Sequence, residues 1–162
     1  MEFTIDRVEC LAVSDKEIFD LLSEVYVQAG YTESKIAQTV FDPQRVRKRG
    51  VLFVSKDRIL NEMAGMVIVV PPDSKAVVVA KDNECELHLM AVLPKFRQQG
   101  LGRQLLTKAL HFAIDKKWSK MILWTQKSMK EAQSLYESFG FIRNGERENN
   151  GIEFLIYEKQ LT

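Results

Sequence analysis

The chain has 162 residues, 46% of them hydrophobic and 28% charged, and a formal net charge of +1. That length and balance suit one globular domain (1–162) with a real core. The near-neutral charge argues against a bulk nucleic-acid or polyanion surface.

The opening stretch Met1 to Cys10 carries charges where a secretory leader would be apolar. Within it, Phe3 to Glu9 alternates apolar and polar residues and reads as a strand. Ser14-Asp15-Lys16-Glu17 is a capping-box pattern opening a helix. Ile18, Leu21, Leu22 and Val25 give that helix one apolar face, and Gly30 ends it. Thr32 to Lys48 holds one or two shorter helices around Asp42-Pro43, with a basic cluster at Arg45, Arg47, Lys48 and Arg49 that reads as a solvated face, a docking patch for an acidic partner being the alternative. Val51 to Ser55 and Met63 to Val70 read as strands. Pro71 to Asn83 reads as a loop with a short extended piece at Ala76 to Val79.

Glu84 to Leu93 is a strand, followed by Arg97-Gln98-Gln99-Gly100-Leu101-Gly102 and an amphipathic helix with Leu106, Ala109, Leu110 and Ala113 on one face. Lys120 to Thr125 is a further strand. Met129 to Phe139 is a helix stopped by Gly140, with Ala132, Leu135, Tyr136 and Phe139 on one face. Phe141 to Arg147 and Ile152 to Glu158 form a hairpin around Asn149-Asn150-Gly151. The order is not a strict strand-helix alternation. It predicts an α/β (α+β) fold, one mixed sheet with helices on its faces.

Cys10 and Cys85 form no CxxC and read as reduced core thiols; with only His88 and His111 in addition, a zinc site is not expected. The longest apolar runs, such as Met66 to Val70, are too short to cross a bilayer. The expectation is a soluble, cytoplasmic protein without metal.

The turn at Arg97 to Gly102 carries the chemistry. A strand, two glycines and a helix start bring unpaired N–H groups and a positive dipole end to one place, and Arg97 and Arg103 flank it. That is a cradle for a phosphate or pyrophosphate. A Walker loop fails because Gly102 is followed by Arg103-Gln104. A dinucleotide fingerprint fails at Leu105 and lacks a ribose-binding acid at the end of a second strand. The pattern of Arg or Gln, two residues, Gly, one residue, then Gly or Ala is met at every fixed position.

That pattern resembles the acetyl-coenzyme A loop of the GNAT N-acetyltransferases. Met90-Ala91-Val92-Leu93-Pro94 resembles the family's strand end before the loop, and Phe96 its aromatic residue. Ala132 to Phe141, AQSLYESFGF, resembles the family's A-x-x-L-Y-E-x-x-G-F block. The likeness covers about residues 84 to 145, taken as the acetyl-CoA-binding core. It departs from the family at Met129, where relatives carry a cofactor-binding Asn; Ser128 beside it is the substitute.

The resemblance implies a mixed, largely antiparallel sheet of six or seven strands. It also implies acetyl transfer from acetyl-CoA to a primary amine of a small molecule or protein, by direct attack in a ternary complex. The backbone of Gln98, Gln99, Gly100, Leu101, Gly102 and Arg103 would hold the pyrophosphate. The pantetheine arm would pair with Met90 and Val92, beside Ala91, with the Met90 N–H polarising the thioester. Tyr136 matches the tyrosine that protonates the leaving thiolate; a core tyrosine is the alternative.

The base lies among residues that alternate on one strand face. Glu86, His88 and Met90 share a face by simple alternation, with Cys85, Leu87 and Leu89 on the other. Glu86 is favoured over His88, the alternative being that both only make polar contacts. Tyr26, Tyr31 and Phe41 are candidates for an acceptor pocket. Partners are acetyl-CoA and an amine acceptor, with no nucleic acid or membrane. A homodimer is compatible with the family. A non-catalytic acyl-CoA-sensing module is the competing reading.

Overall fold

In the computed structural model, which describes residues 2–161, seven strands form one sheet in the order β1-β2-β3-β4-β5-β7-β6. The strands are β1 (Phe3–Arg7), β2 (Val51–Asp57), β3 (Met63–Val70), β4 (Glu84–Val92), β5 (Lys120–Gln126), β6 (Ile142–Asn149) and β7 (Ile152–Gln160). Among the described residues only β4 and β5 pair in parallel; every other pair is antiparallel. The mixed, largely antiparallel sheet is as expected.

The helices are α1 (Asp15–Leu22), α2 (Ser34–Val40), α3 (Pro43–Lys48), α4 (Leu101–Asp115) and α5 (Lys130–Ser138). The capping box at α1 is formed in full: Glu17 N–H donates to Ser14 Oγ at 3.1 Å and Ser14 N–H to Glu17 Oε1 at 3.1 Å. After Leu22 the helix widens into a π turn over Ser23–Val27, with Gln28 N–H reaching back to the Ser23 carbonyl at 3.0 Å. That turn carries Tyr26. Asp42 caps α3, and Pro43 opens it where no N–H is needed.

All eight residues of β3 are buried, so this strand is covered on both faces. α4 covers one face: a Cβ added to Gly65 would lie 3.0 Å from Leu105 Cδ1. α1 packs on β3 and β4 from the other side. The hairpin turn between β6 and β7 has Asn150 at φ 53 and Gly151 at φ 77, the pair of left-handed residues that a two-residue hairpin needs.

Several expectations shift. The first strand ends at Arg7 and the chain turns into a short 3-10 segment over Val8–Cys10. Cys10 is exposed there and is not a core thiol, whereas Cys85 is buried. Burial pushes the Cys85 thiol up to about 12, so it stays protonated and inert. Ala76 to Val79 forms no strand.

Candidate active site

β4 and β5 stay together only where Glu84–Glu86 faces Lys120–Ile122, and then part. On its other side β4 carries a bulge: the pairing steps from Ile68–His88 to Met66–Ala91, so Leu89 and Met90 together oppose Val67. Leu89 takes φ 49 to achieve this. The bulge overturns the expected alternation. Ala91, not Met90, takes the next place on the face of Glu86 and His88. The Met90 side chain goes to the α4 side, with its methyl 3.7 Å from a Cβ placed on Gly102.

A cleft of about 670 Å³ opens beside the splayed strand. Met90, Ala91 and Val92 supply one wall, and Ser128 stands on the rim. Arg97, Gln98, Gly100, Leu101, Gly102 and Arg103 supply its end, while Gln99 lies in the turn but off the cleft wall. Gln98 (φ 61) and Gly100 (φ 79) both adopt left-handed backbone, which lifts the chain around the start of α4. Among the described residues, no backbone N–H from Gln98 to Arg103 donates to a protein acceptor. These donors sit at the positive end of a fifteen-residue helix, an arrangement suited to a pyrophosphate.

Two arginines serve the cleft differently. Arg97 turns back and donates from Nε to the Val92 carbonyl at 3.1 Å. Arg103 lies over the Phe139 ring at 4.6 Å and donates to Ser138 Oγ at 2.9 Å, so it ties the turn to the end of α5. The two sequence blocks, 38 residues apart at their glycines, Gly102 and Gly140, thus meet.

A second cavity of about 310 Å³ adjoins the cleft. Tyr26, Met90, Met129, Ala132 and Tyr136 line both spaces, forming the neck between them. The Tyr26 hydroxyl donates to the Met90 carbonyl at 2.8 Å. Of the aromatic candidates for an acceptor pocket, Phe41 lines the second cavity, Tyr31 lines the first cleft and Tyr26 lines both. Tyr136 is 7% exposed. Burial pushes its phenol well above the ordinary tyrosine range, so it carries its proton at neutral pH.

His88 lines this cavity, and Glu86 lies behind it, fully buried and off the wall. The Glu86 carboxylate accepts from Val78 N–H at 3.0 Å, Val79 N–H at 2.6 Å and Ala80 N–H at 2.7 Å. His88 Nε2 stands 2.8 Å from its other oxygen. Burial alone would raise this carboxyl, but His88 and the three N–H groups bring it below the ordinary carboxylate value. Glu86 therefore anchors the loop before β4 and orients His88, and it is a weak proton acceptor. With Nε2–H given to Glu86, His88 turns Nδ1 toward Arg49 Nη1, 3.5 Å away. Burial first, and then the Arg49 charge, hold the imidazole below its ordinary value, so it is neutral near pH 7.

This burial has a measurable consequence. As pH falls below about 6.5, an unfolded His88 takes up a proton that the folded one refuses, so stability drops on acidification. The depressed Glu86 adds a loss only below about 4.3. The melting temperature of the wild type is expected to fall between pH 7 and 5, and His88→Gln to flatten that slope. Parallel wild-type and variant curves would assign the slope to other groups.

Known proteins share this plan. The family model described as "Acetyltransferase (GNAT) family" matches residues 16–141. The chain belongs to that family. A protein from Archaeoglobus fulgidus named as an uncharacterized N-acetyltransferase is 30% identical over 136 residues, 77% of this chain and 87% of the relative. N-acetylaspartate synthetase of Danio rerio is 38% identical over 68 residues, 42% of this chain but only 24% of that protein. This chain thus spans about a quarter of that longer relative. A GNAT family acetyltransferase from Elizabethkingia anophelis, solved with acetyl-CoA bound, superposes with a TM-score of 0.67 over 98% of both chains at 22% identity.

Within the GNAT plan, Tyr26, already a candidate for an acceptor pocket, sits on the π turn and lines both spaces. One residue of the second cavity had little signal in the sequence. Arg49 reads as one of a cationic cluster, yet the cluster divides: Arg45 and Lys48 are exposed, Arg47 pairs with Asp15 at 2.8 Å, and Arg49 turns inward. Among the described residues no helix is long and apolar enough to cross a membrane.

Proposed function

We propose that the protein transfers an acetyl group from acetyl-CoA to a primary amine by direct attack in a ternary complex. The observation that carries this reading is the neck: Tyr26, Met90 and Tyr136 border both the glycine-turn cleft and the smaller cavity. A cofactor in the first and an amine in the second would meet there. The cleft end, with its unpaired N–H groups from Gln98 to Arg103, suits the pyrophosphate. The Met90 N–H polarises the thioester oxygen as negative charge develops on it.

The amine nitrogen attacks the thioester carbon, and the carbon–sulfur bond breaks. The departing thiolate takes the Tyr136 proton, which its raised pKa keeps available. The amine surrenders its proton through water to His88 Nδ1. The geometry favours His88 in this role, against the expectation that leaned to Glu86, because Glu86 spends its lone pairs on three N–H groups and the imidazole. Glu86 then acts as a positioning residue.

Thiol release from acetyl-CoA across an amine panel tests the reading. Turnover on at least one amine is expected. Tight cofactor binding with no release on any amine would favour a sensing module. Gly100→Ala places a side chain at φ 79, which costs about 1–2 kcal/mol. It should raise the KM for acetyl-CoA roughly fivefold or more, with a smaller change in kcat. An unaltered KM would remove the turn from cofactor binding.

A further inference from the structure

The smaller cavity holds a charge that the transfer chemistry does not use. Arg49, just past α3, brings its guanidinium to a space whose wall includes the apolar Val40, Phe41, Leu87 and Trp124 and the uncharged polar Thr32, Thr125, Gln126 and Asn149. Nη2 donates to the Val40 carbonyl at 3.0 Å, and Nη1 stands 3.5 Å from His88 Nδ1. The Val40 contact holds the fork in place, while the longer His88 contact leaves Nδ1 open, and neither is a counter-charge. Among the described residues no carboxylate pairs with Arg49, although its neighbour Arg47 is paired with Asp15. Glu33, also on the cavity wall, is exposed at the rim and forms no ion pair with it.

A half-buried cation with apolar neighbours carries a desolvation cost that an anion would offset. The guanidinium fork matches the two oxygens of a carboxylate. A space of about 310 Å³ is at the small end of ligand pockets, about 300–1,000 Å³. It suits one small molecule.

We propose that the acceptor is a free amino acid with an apolar side chain. Its carboxylate sits on Arg49, its side chain lies against Phe41 and Trp124, and its amine faces the neck at Tyr26, Met90 and Tyr136. A polypeptide N-terminus has an amide where this carboxylate would be, and a lysine side chain in a protein has none to offer. The amine end of this proposal rests on the acetyl-transfer reading; the carboxylate end rests on Arg49.

The test compares phenylalanine, leucine and methionine, each with its own amide, as acceptors in thiol release from acetyl-CoA. For at least one pair, kcat/KM for the acid should exceed that for the amide by about tenfold or more. The amide's amine is less basic, so amine ionisation works against this preference. In Arg49→Gln the ratio should fall to within about threefold, with Arg49→Lys between. Amides used as well as acids by the wild type would overturn the proposal, and so would a ratio that survives in Arg49→Gln. The wild-type comparison needs no variant to fold. Absence of turnover on every amine would instead fail the transfer reading. Calorimetric titration of the same pairs into CoA-loaded protein then decides the carboxylate separately: binding of acids over amides supports it, and equal or no binding overturns it.

Discussion

Tyr136→Phe lowers kcat by about 100-fold or more while leaving the melting temperature almost unchanged. The two halves of this expected result come from different parts of the residue. The ring packs edge-on against Phe141 at 5.9 Å and tilted against Tyr157 at 6.5 Å, and phenylalanine keeps both contacts. Among the described residues the hydroxyl has no protein hydrogen-bond partner, so its removal orphans nothing. Tyr136 borders both spaces at the neck, where the proposed transfer would release its sulfur. The stability change should stay within about 0.5 kcal/mol. Rate measurements across pH decide the matter: a kcat equal to the wild type's at every pH would return Tyr136 to a packing role.

Glu86→Gln gives the opposite pattern, a loss of stability first. The carboxylate is 0% exposed and receives three backbone N–H groups and an imidazole. An amide of the same shape turns one acceptor into a donor facing donors. The expected cost is about 2–4 kcal/mol, roughly 5–10 °C in melting temperature for a domain of this size. Turnover falls as well, because the loop before β4 and the His88 ring lose their common anchor. A base role for Glu86 predicts something else: turnover abolished with the melting temperature intact. Thermal denaturation and kcat on the same preparation separate the two.

Much of the fold was legible from residues whose local chemistry and tertiary surroundings agree. The Ser14 capping box, the Asp42-Pro43 helix start and the Asn150-Gly151 turn all form as their side chains and φ preferences require. The glycine turn and the α5 block were legible for the same reason, since the left-handed backbone at Gly100 and at Gly140 favours glycine. The second cavity was legible only in part of its wall, at Tyr26, Phe41, His88 and Tyr136. Its shape depends on two departures from regular geometry, the π turn at Tyr26 and the bulge at Leu89, and neither has a periodicity to betray it. The face assignment of Met90 failed there because strict alternation presumes an unbroken ladder. Arg49 escaped notice because charge patterning counts cations without telling which way each one turns. The N–H partners of Glu86 come from a loop with no pattern of its own, so its anchoring contacts had no signal in the sequence.

The bulge at Leu89 also bears on how such a chain tolerates gain or loss of a residue. One extra residue in β4 bends the strand beside the point where it leaves β5. A variant lacking Leu89 would let Met90 alone oppose Val67 and keep the rest of the β3–β4 register. The straightened strand could then run on alongside β5 past Glu86, zipping shut the gap in which both substrates would meet. A single-codon deletion there would yield a sheet with more hydrogen bonds and no working cleft. The open seam is therefore a defect in the sheet that the sequence maintains one residue at a time.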